Sequence, residues 1–131
     1  MVFTKEWTVR SEKTLDITEQ VEKTVRESGI RTGLVQVETC ELASGVLRAD
    51  RNGDKTLLDT VREMRFLIPA RINFANTESP EHAAGCVKAA LFGSTLTCRV
   101  ADGALCGAYG IYFLDYDGPR NCVFSVCVVG E

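Results

Sequence analysis

The sequence predicts one α+β domain over residues 1–131, and three observations carry that expectation. A chain of 131 residues can bury one sizeable core but would be cramped as two domains. Apolar residues make up 45% and charged residues 25%, an ordinary globular composition with nothing fibrous or disordered about it. Helical spacing dominates before Ser94 and strand alternation after it, with no repeating βαβ unit to suggest a nucleotide-binding sheet.

The elements follow in order. Phe3 to Arg10 alternates imperfectly (Phe3, Lys5, Trp7 and Val9 against Thr4, Glu6, Thr8 and Arg10) and contains enough β-formers for a first strand. Asp16 and Glu19 have capping-box spacing ahead of a helix from about Thr18 to Ser28. Val21, Val25 and Ile30 face inward there, and Gly29 ends the helix. Leu34 to Thr39 is the next strand. Cys40 to Asp54 is irregular, with a short strand possible at Gly45 to Leu47 and a turn at Asp50-Arg51-Asn52-Gly53-Asp54. Lys55 to Phe66 forms a second helix with Leu57, Leu58, Val61 and Met64 on one side. Pro69 prevents any continuation beyond it. Ser79-Pro80-Glu81 combines a hydroxyl cap, proline in the first turn and an acid near the positive dipole end. It opens a third helix that carries Ala83, Val87, Ala90 and Leu91 and ends at Gly93. Four strands close the chain: Thr95 to Val100, Ala104 to Cys106, Ile111 to Tyr116 and Cys122 to Val129. Ala101-Asp102-Gly103 and Asp117-Gly118-Pro119 are the hairpin-type turns between them. The expected order is therefore β-α-β-α-α-β-β-β-β.

Composition also excludes partners. The net charge is −3 with acids and bases interspersed, so no basic cluster offers a footprint for nucleic acid or an anionic membrane. Met1 to Arg10 lacks the apolar core of a signal peptide, and no apolar run is long enough to span a bilayer, which predicts a cytoplasmic protein. Cys40, Cys86, Cys98, Cys106, Cys122 and Cys127 show no C-x-x-C spacing, so they read as small hydrophobes and not as disulfides or a zinc ribbon. Cys122 and Cys127 are five apart and face opposite sides of a regular strand, which keeps them off a common metal. Tyr109, Tyr112, Phe113 and Tyr116 read as sheet and interface packing more than as a ligand-stacking set.

Several stretches, in this order and spacing, resemble the YjbQ-like family, also described as secondary thiamine-phosphate synthase enzymes. They are Leu15-Asp16-Ile17-Thr18, Gly33-Leu34-Val35, Asp54 to Asp59, Lys88 to Ser94, Asp117-Gly118-Pro119-Arg120 and the final Val129-Gly130-Glu131. The resemblance covers nearly the whole chain and implies an α+β sandwich of mixed sheets assembled as a homotrimer. It also implies a site of three histidines with helper hydroxyls and an asparagine, for a metal or a phosphorylated ligand. In this chain the first histidine position falls on Glu41, the second on or near Ala75 and the third on Cys86. The asparagine position falls on His82, the one histidine present; Tyr109-Gly110 replaces a Trp-Gln pair, and the acid near the second helix is Asp50. Neither alanine nor glycine can do the work of an imidazole, which is both a metal ligand and a general base near neutral pH.

Candidate chemistry remains at these positions. His82 and Cys86 are four apart on the third helix and so lie on one face, within about 6 Å. If the family geometry holds, Glu41 approaches that face. A His/Cys/Glu set with an open fourth position suits Zn²⁺, with Glu41 as base or ligand and Asp50 behind it. The plainer alternative is an exposed histidine and a core cysteine with no metal. Arg120 offers a guanidinium fork to a carboxylate or phosphate, or simply closes a rigid turn. The reading preferred is a homotrimer that has lost the family chemistry and binds a small anionic or phosphorylated ligand, or a protein. The alternatives are a weak thiamine-phosphate synthase-type enzyme using Mg²⁺ and a metal-dependent hydrolase built on His82, Cys86 and Glu41.

Overall fold

Two antiparallel sheets and three helices make up the computed structural model, which describes residues 1–51 and 53–131. Asn52, at the centre of the expected turn, lies outside the described residues. The strands are β1 (Val2–Ser11), β2 (Thr14–Asp16), β3 (Gly33–Thr39), β4 (Ser44–Ala49), β5 (Thr95–Ala101), β6 (Ala104–Leu105), β7 (Gly110–Asp115) and β8 (Arg120–Gly130). The helices are α1 (Thr18–Ser28), α2 (Lys55–Leu67) and α3 (Pro80–Phe92). A five-stranded sheet runs β1-β8-β3-β5-β6 and a three-stranded sheet runs β2-β7-β4.

Strand alternation places the core. In β8, Cys122, Phe124, Val126 and Val128 are fully buried while the residues between them are partly exposed. They meet Val35 and Val37 of β3, Val21 and Val25 of α1, and Ile111 and Phe113 of β7. β7 is buried on both faces: Tyr112 and Leu114 point the other way and pack with Leu57 and Met64 of α2. A central strand covered on both sides reads as a continuous apolar run, as Ile111 to Leu114 does. No helix among the described residues is long and apolar enough to cross a membrane.

The α+β class and all three helices are as expected, and several details are corrected. β2, only three residues long, joins the expected order, and the short strand placed at Gly45 to Leu47 is present as the longer β4, which pairs along its whole length with β7. The capping box does not form. Ile17 is the N-cap of α1, and Asp16 Oδ1 accepts from the Thr18 N–H at 2.9 Å and the Thr18 hydroxyl at 2.6 Å. Leu58 does not join Leu57, Val61 and Met64, because one further residue rotates it off their face into solvent. α3 begins as expected, with Ser79 Oγ accepting from the His82 N–H at 3.1 Å. Its buried residues are the small Ala83, Ala84 and Gly85; Ala90 and Leu91 are exposed. A Cβ on Gly85 would stand 2.9 Å from Tyr116 Cβ and 3.0 Å from Ala43 Cβ, so close backbone approach selects small residues there. All six cysteines are free, but only Cys98 and Cys122 are fully buried.

Candidate functional site

A cleft of about 630 Å³ opens between α2, α3 and the end of β7. Val61, Met64 and Ile68 of the α2 region and Leu114 and Tyr116 from the β7 side give it an apolar wall. Three cations, Lys13, Arg65 and Lys88, stand around that wall, with the exposed Glu81 and the partly exposed Asp117 as acids. The remaining acid, Asp115, is buried and ion-paired to Arg120. Burial, and then the charge of Arg65, holds the Lys88 ammonium below its usual range. Its Nζ lies 5.6 Å from the centre of the Tyr116 ring. Burial pushes the Tyr116 phenol up to about 12, and its hydroxyl faces Met64 Sδ at 3.8 Å. Lys13 sits with φ of 91°, a left-handed conformation uncommon outside glycine, while its carbonyl accepts the Asp115 N–H at 2.8 Å. Two crowded cations over an apolar floor are a setting that a small anion would relieve.

None of Glu41, Asp50, His82, Cys86 and Arg120, the residues expected from the sequence, lines this cleft. His82 and Cys86 are brought together, with His82 Nε2 3.4 Å from Cys86 Sγ. The other ring nitrogen, Nδ1, is 2.6 Å from Asp117 Oδ2, and Glu78 Oε2 reaches Nε2 at 3.1 Å. Glu41 turns to β8, where its Oε1 accepts the Val123 N–H at 3.1 Å. Asp50 is exposed just past β4. Among the described residues, no group of three or more His, Cys, Asp or Glu side chains is placed to hold a metal ion.

Arg120 is committed within the fold. Its Nε donates to Asp115 Oδ1 at 3.1 Å and its Nη2 donates to the Leu42 carbonyl. Asp115 also accepts from the Ser11 hydroxyl at 2.5 Å and from the Asp117 N–H at 3.0 Å. This network ties β1, β7, the 117–119 turn and the loop after β3 together. It also holds the carboxylate of Asp117 against His82.

Sequence reasoning missed Lys13, Arg65, Asp117 and the lining role of Lys88 and Tyr116. Lys88 and Tyr116 belong to stretches already singled out, as a family-like segment and as an aromatic set. Lys13 and Arg65 gave no signal, since an isolated surface cation in sequence looks the same whether or not it borders a cleft.

The model of the UPF0047 YjbQ-like family matches residues 5–131. A UPF0047 protein of Methanocaldococcus jannaschii is 28% identical over 126 residues, covering 95% of this chain and 90% of that protein. One from Methanothermobacter thermautotrophicus is 27% identical over 135 residues, covering 99% and 94%. A crystal structure of a protein of unknown function from Sulfolobus solfataricus shares the fold with a TM-score of 0.91 at 21% identity, over 100% of this chain and 99% of that one. An uncharacterised family protein of Clostridium acetobutylicum superposes with a TM-score of 0.88 at 25% identity, over 95% and 99%.

Proposed function

Because the chain belongs to the UPF0047 YjbQ-like family, we propose that it is a homotrimeric binding protein for a small anion with an apolar body, with little or no chemistry through three imidazoles. The observation that carries this reading is the pairing of Lys88 with Arg65 at the rim of the apolar cleft, where burial and mutual repulsion already disfavour the Lys88 charge. A carboxylate or phosphate between the two would remove that repulsion, and the body of the ligand would lie on Tyr116, Met64 and Leu114. Loss of the family chemistry is supported by Glu41, the segment at or near Ala75, and Cys86 at the positions where the resemblance implies histidine. The trimer is supported by exposed Leu58, Phe66 and Leu67 on α2 and Leu91 and Phe92 on α3, more apolar surface than two helices of an isolated chain usually leave in water.

The test uses 1-anilinonaphthalene-8-sulfonate as the amphiphilic anion and N-phenyl-1-naphthylamine as its uncharged relative. Replacing Arg65 and Lys88 together by glutamate should weaken the sulfonate by roughly tenfold or more, the equivalent of about 1.4 kcal/mol. The uncharged dye should bind as before. Equal losses for both dyes, or none for the sulfonate, would remove the anion from the reading. Sedimentation equilibrium should return three chains, and a monomer at micromolar concentration would remove the trimer.

A further inference from the structure

We propose that Cys86, His82 and Asp117 form a nucleophilic thiol site that takes a small carbon electrophile carrying a leaving group. Three observations place a nucleophile, a base and an orienting carboxylate in line. Cys86 Sγ lies 3.4 Å from His82 Nε2, within hydrogen-bonding reach for sulfur. His82 Nδ1 lies 2.6 Å from Asp117 Oδ2, a contact that favours the tautomer with its proton on Nδ1, in which Nε2 is free to accept from the thiol. Asp117 is itself fixed, because its backbone N–H donates to the buried Asp115 carboxylate at 3.0 Å. The i, i+4 spacing on α3 sets the first pair, and the β7–β8 turn supplies the third member.

The step balances without a cofactor. The Cys86 proton passes to His82 Nε2, the thiolate attacks the electrophilic carbon, an S–C bond forms, and the leaving group departs with its bonding pair. The imidazolium, donating to Asp117 through Nδ1, then gives its extra proton to solvent or to the leaving group. Glu78 is the competing partner, 3.1 Å from Nε2. Its side chain is 72% exposed against 29% for Asp117, so water screens its hold on the ring and Asp117 dominates the orientation.

Cys40 provides the internal contrast. It is the one exposed cysteine, yet burial and the charges of Glu6, Glu38 and Glu41 push its thiol up. Accessibility alone would make Cys40 react first; the His82–Asp117 pair reverses that order.

The experiment is timed alkylation of the full chain with iodoacetamide at neutral pH, read by peptide mass mapping at each cysteine. Cys86 should be modified ahead of Cys40, Cys106 and Cys127. His82→Asn should slow it by about tenfold or more, Asp117→Asn should slow it less, and neither should change Cys40. Glu78→Gln should leave the Cys86 rate unchanged or raise it. The proposal is overturned if Cys86 in the unmodified protein reacts no faster than Cys40, a comparison that depends on no variant folding. It is equally overturned if a folded His82→Asn protein alkylates Cys86 at the original rate.

Discussion

Replacing Arg120 by methionine decides whether its guanidinium serves the fold or a ligand. Methionine keeps much of the side chain's length and apolar stem but removes the cation. The Asp115 side chain is fully buried and that of Arg120 is 28% exposed, with 3.1 Å between Nε and Oδ1. Removing one member of a buried ion pair costs about 3–5 kcal/mol when both charges are dry. Here the guanidinium is partly in water and the carboxylate keeps the Ser11 hydroxyl and the Asp117 N–H, which places the loss lower, at about 2–3 kcal/mol. With an unfolding entropy of about 2.1 cal/mol/K per residue, 131 residues give about 0.28 kcal/mol/K, so the midpoint should fall by about 7–11 °C.

Thermal melts followed by circular dichroism measure the shift, at one fixed protein concentration because self-association would move the midpoint. Adding Asp115→Asn to Arg120→Met should recover part of the loss, since the neutral amide no longer needs a counter-charge and the two sites are coupled. Binding of the anionic dye should be unchanged in the folded Arg120→Met variant, since Arg120 does not line the cleft. A midpoint within about 2 °C of the original, or losses that simply add in the double variant, would refute the account of Arg120 as the partner of a buried carboxylate.

Other perturbations test the remaining parts of the structure. Gly85→Ala gains about 1 kcal/mol of helix propensity. Its new Cβ meets Tyr116 Cβ at 2.9 Å and Ala43 Cβ at 3.0 Å, both pinned to backbone, so overpacking of about 1–3 kcal/mol should win and lower the urea midpoint. A stabilised variant would mean that α3 has room to move. Absorbance at 295 nm should show no tyrosine titrating at the ordinary value near 10: burial first raises Tyr116, to about 12, and also holds Tyr109 and Tyr112 up. Because its folded value is raised, Tyr116 contributes stability that is full below about 10 and lost as pH rises toward 12. A third of the signal titrating near 10 would contradict this. For Asp16, burial opposes ionisation, but the Thr18 hydrogen bonds and Arg51 outweigh it and lower the carboxyl below 3.8. Its contribution is present above 3.8 and lost as pH falls through the folded value, so Asp16→Asn should flatten the acid limb of the stability profile. An unaltered acid limb would show that the Thr18 hydrogen bonds and Arg51 together do not favour the charged Asp16 carboxylate.

The elements that sequence made legible are those whose burial follows one period. β8 alternates over its whole length, α1 buries Val21 and Val25 one turn apart, and Ser79-Pro80 starts α3 as its chemistry requires. β2 was not legible because three residues cannot show a period, and its pairing with β7 is a contact across about a hundred residues. The fully buried β7 could be read as a strand, but not that α2 would cover its second face. Asp16 misled because an aspartate before a helix has two uses, and its bonds to Thr18 supersede the reciprocal exchange with Glu19.

The candidate site was legible only where local spacing decides it. Four residues on one helix bring His82 to Cys86 regardless of tertiary structure, whereas Glu41 depended on a loop conformation and went to the β8 backbone instead. α3 shows why its apolar pattern misled. Glu81, Ala84 and Lys88 lie toward the cleft, His82 and Cys86 lie toward each other beside Asp117, and Gly85 lies against Ala43 and Tyr116. A helix with three such neighbours can bury only small residues where the backbone comes close, so Leu91 and Phe92 are left outside. Their exposure reflects the same close approach that positions the cleft lysine and the thiol. The packing that defeats the amphipathic reading of α3 is therefore also what puts its functional side chains on separate faces.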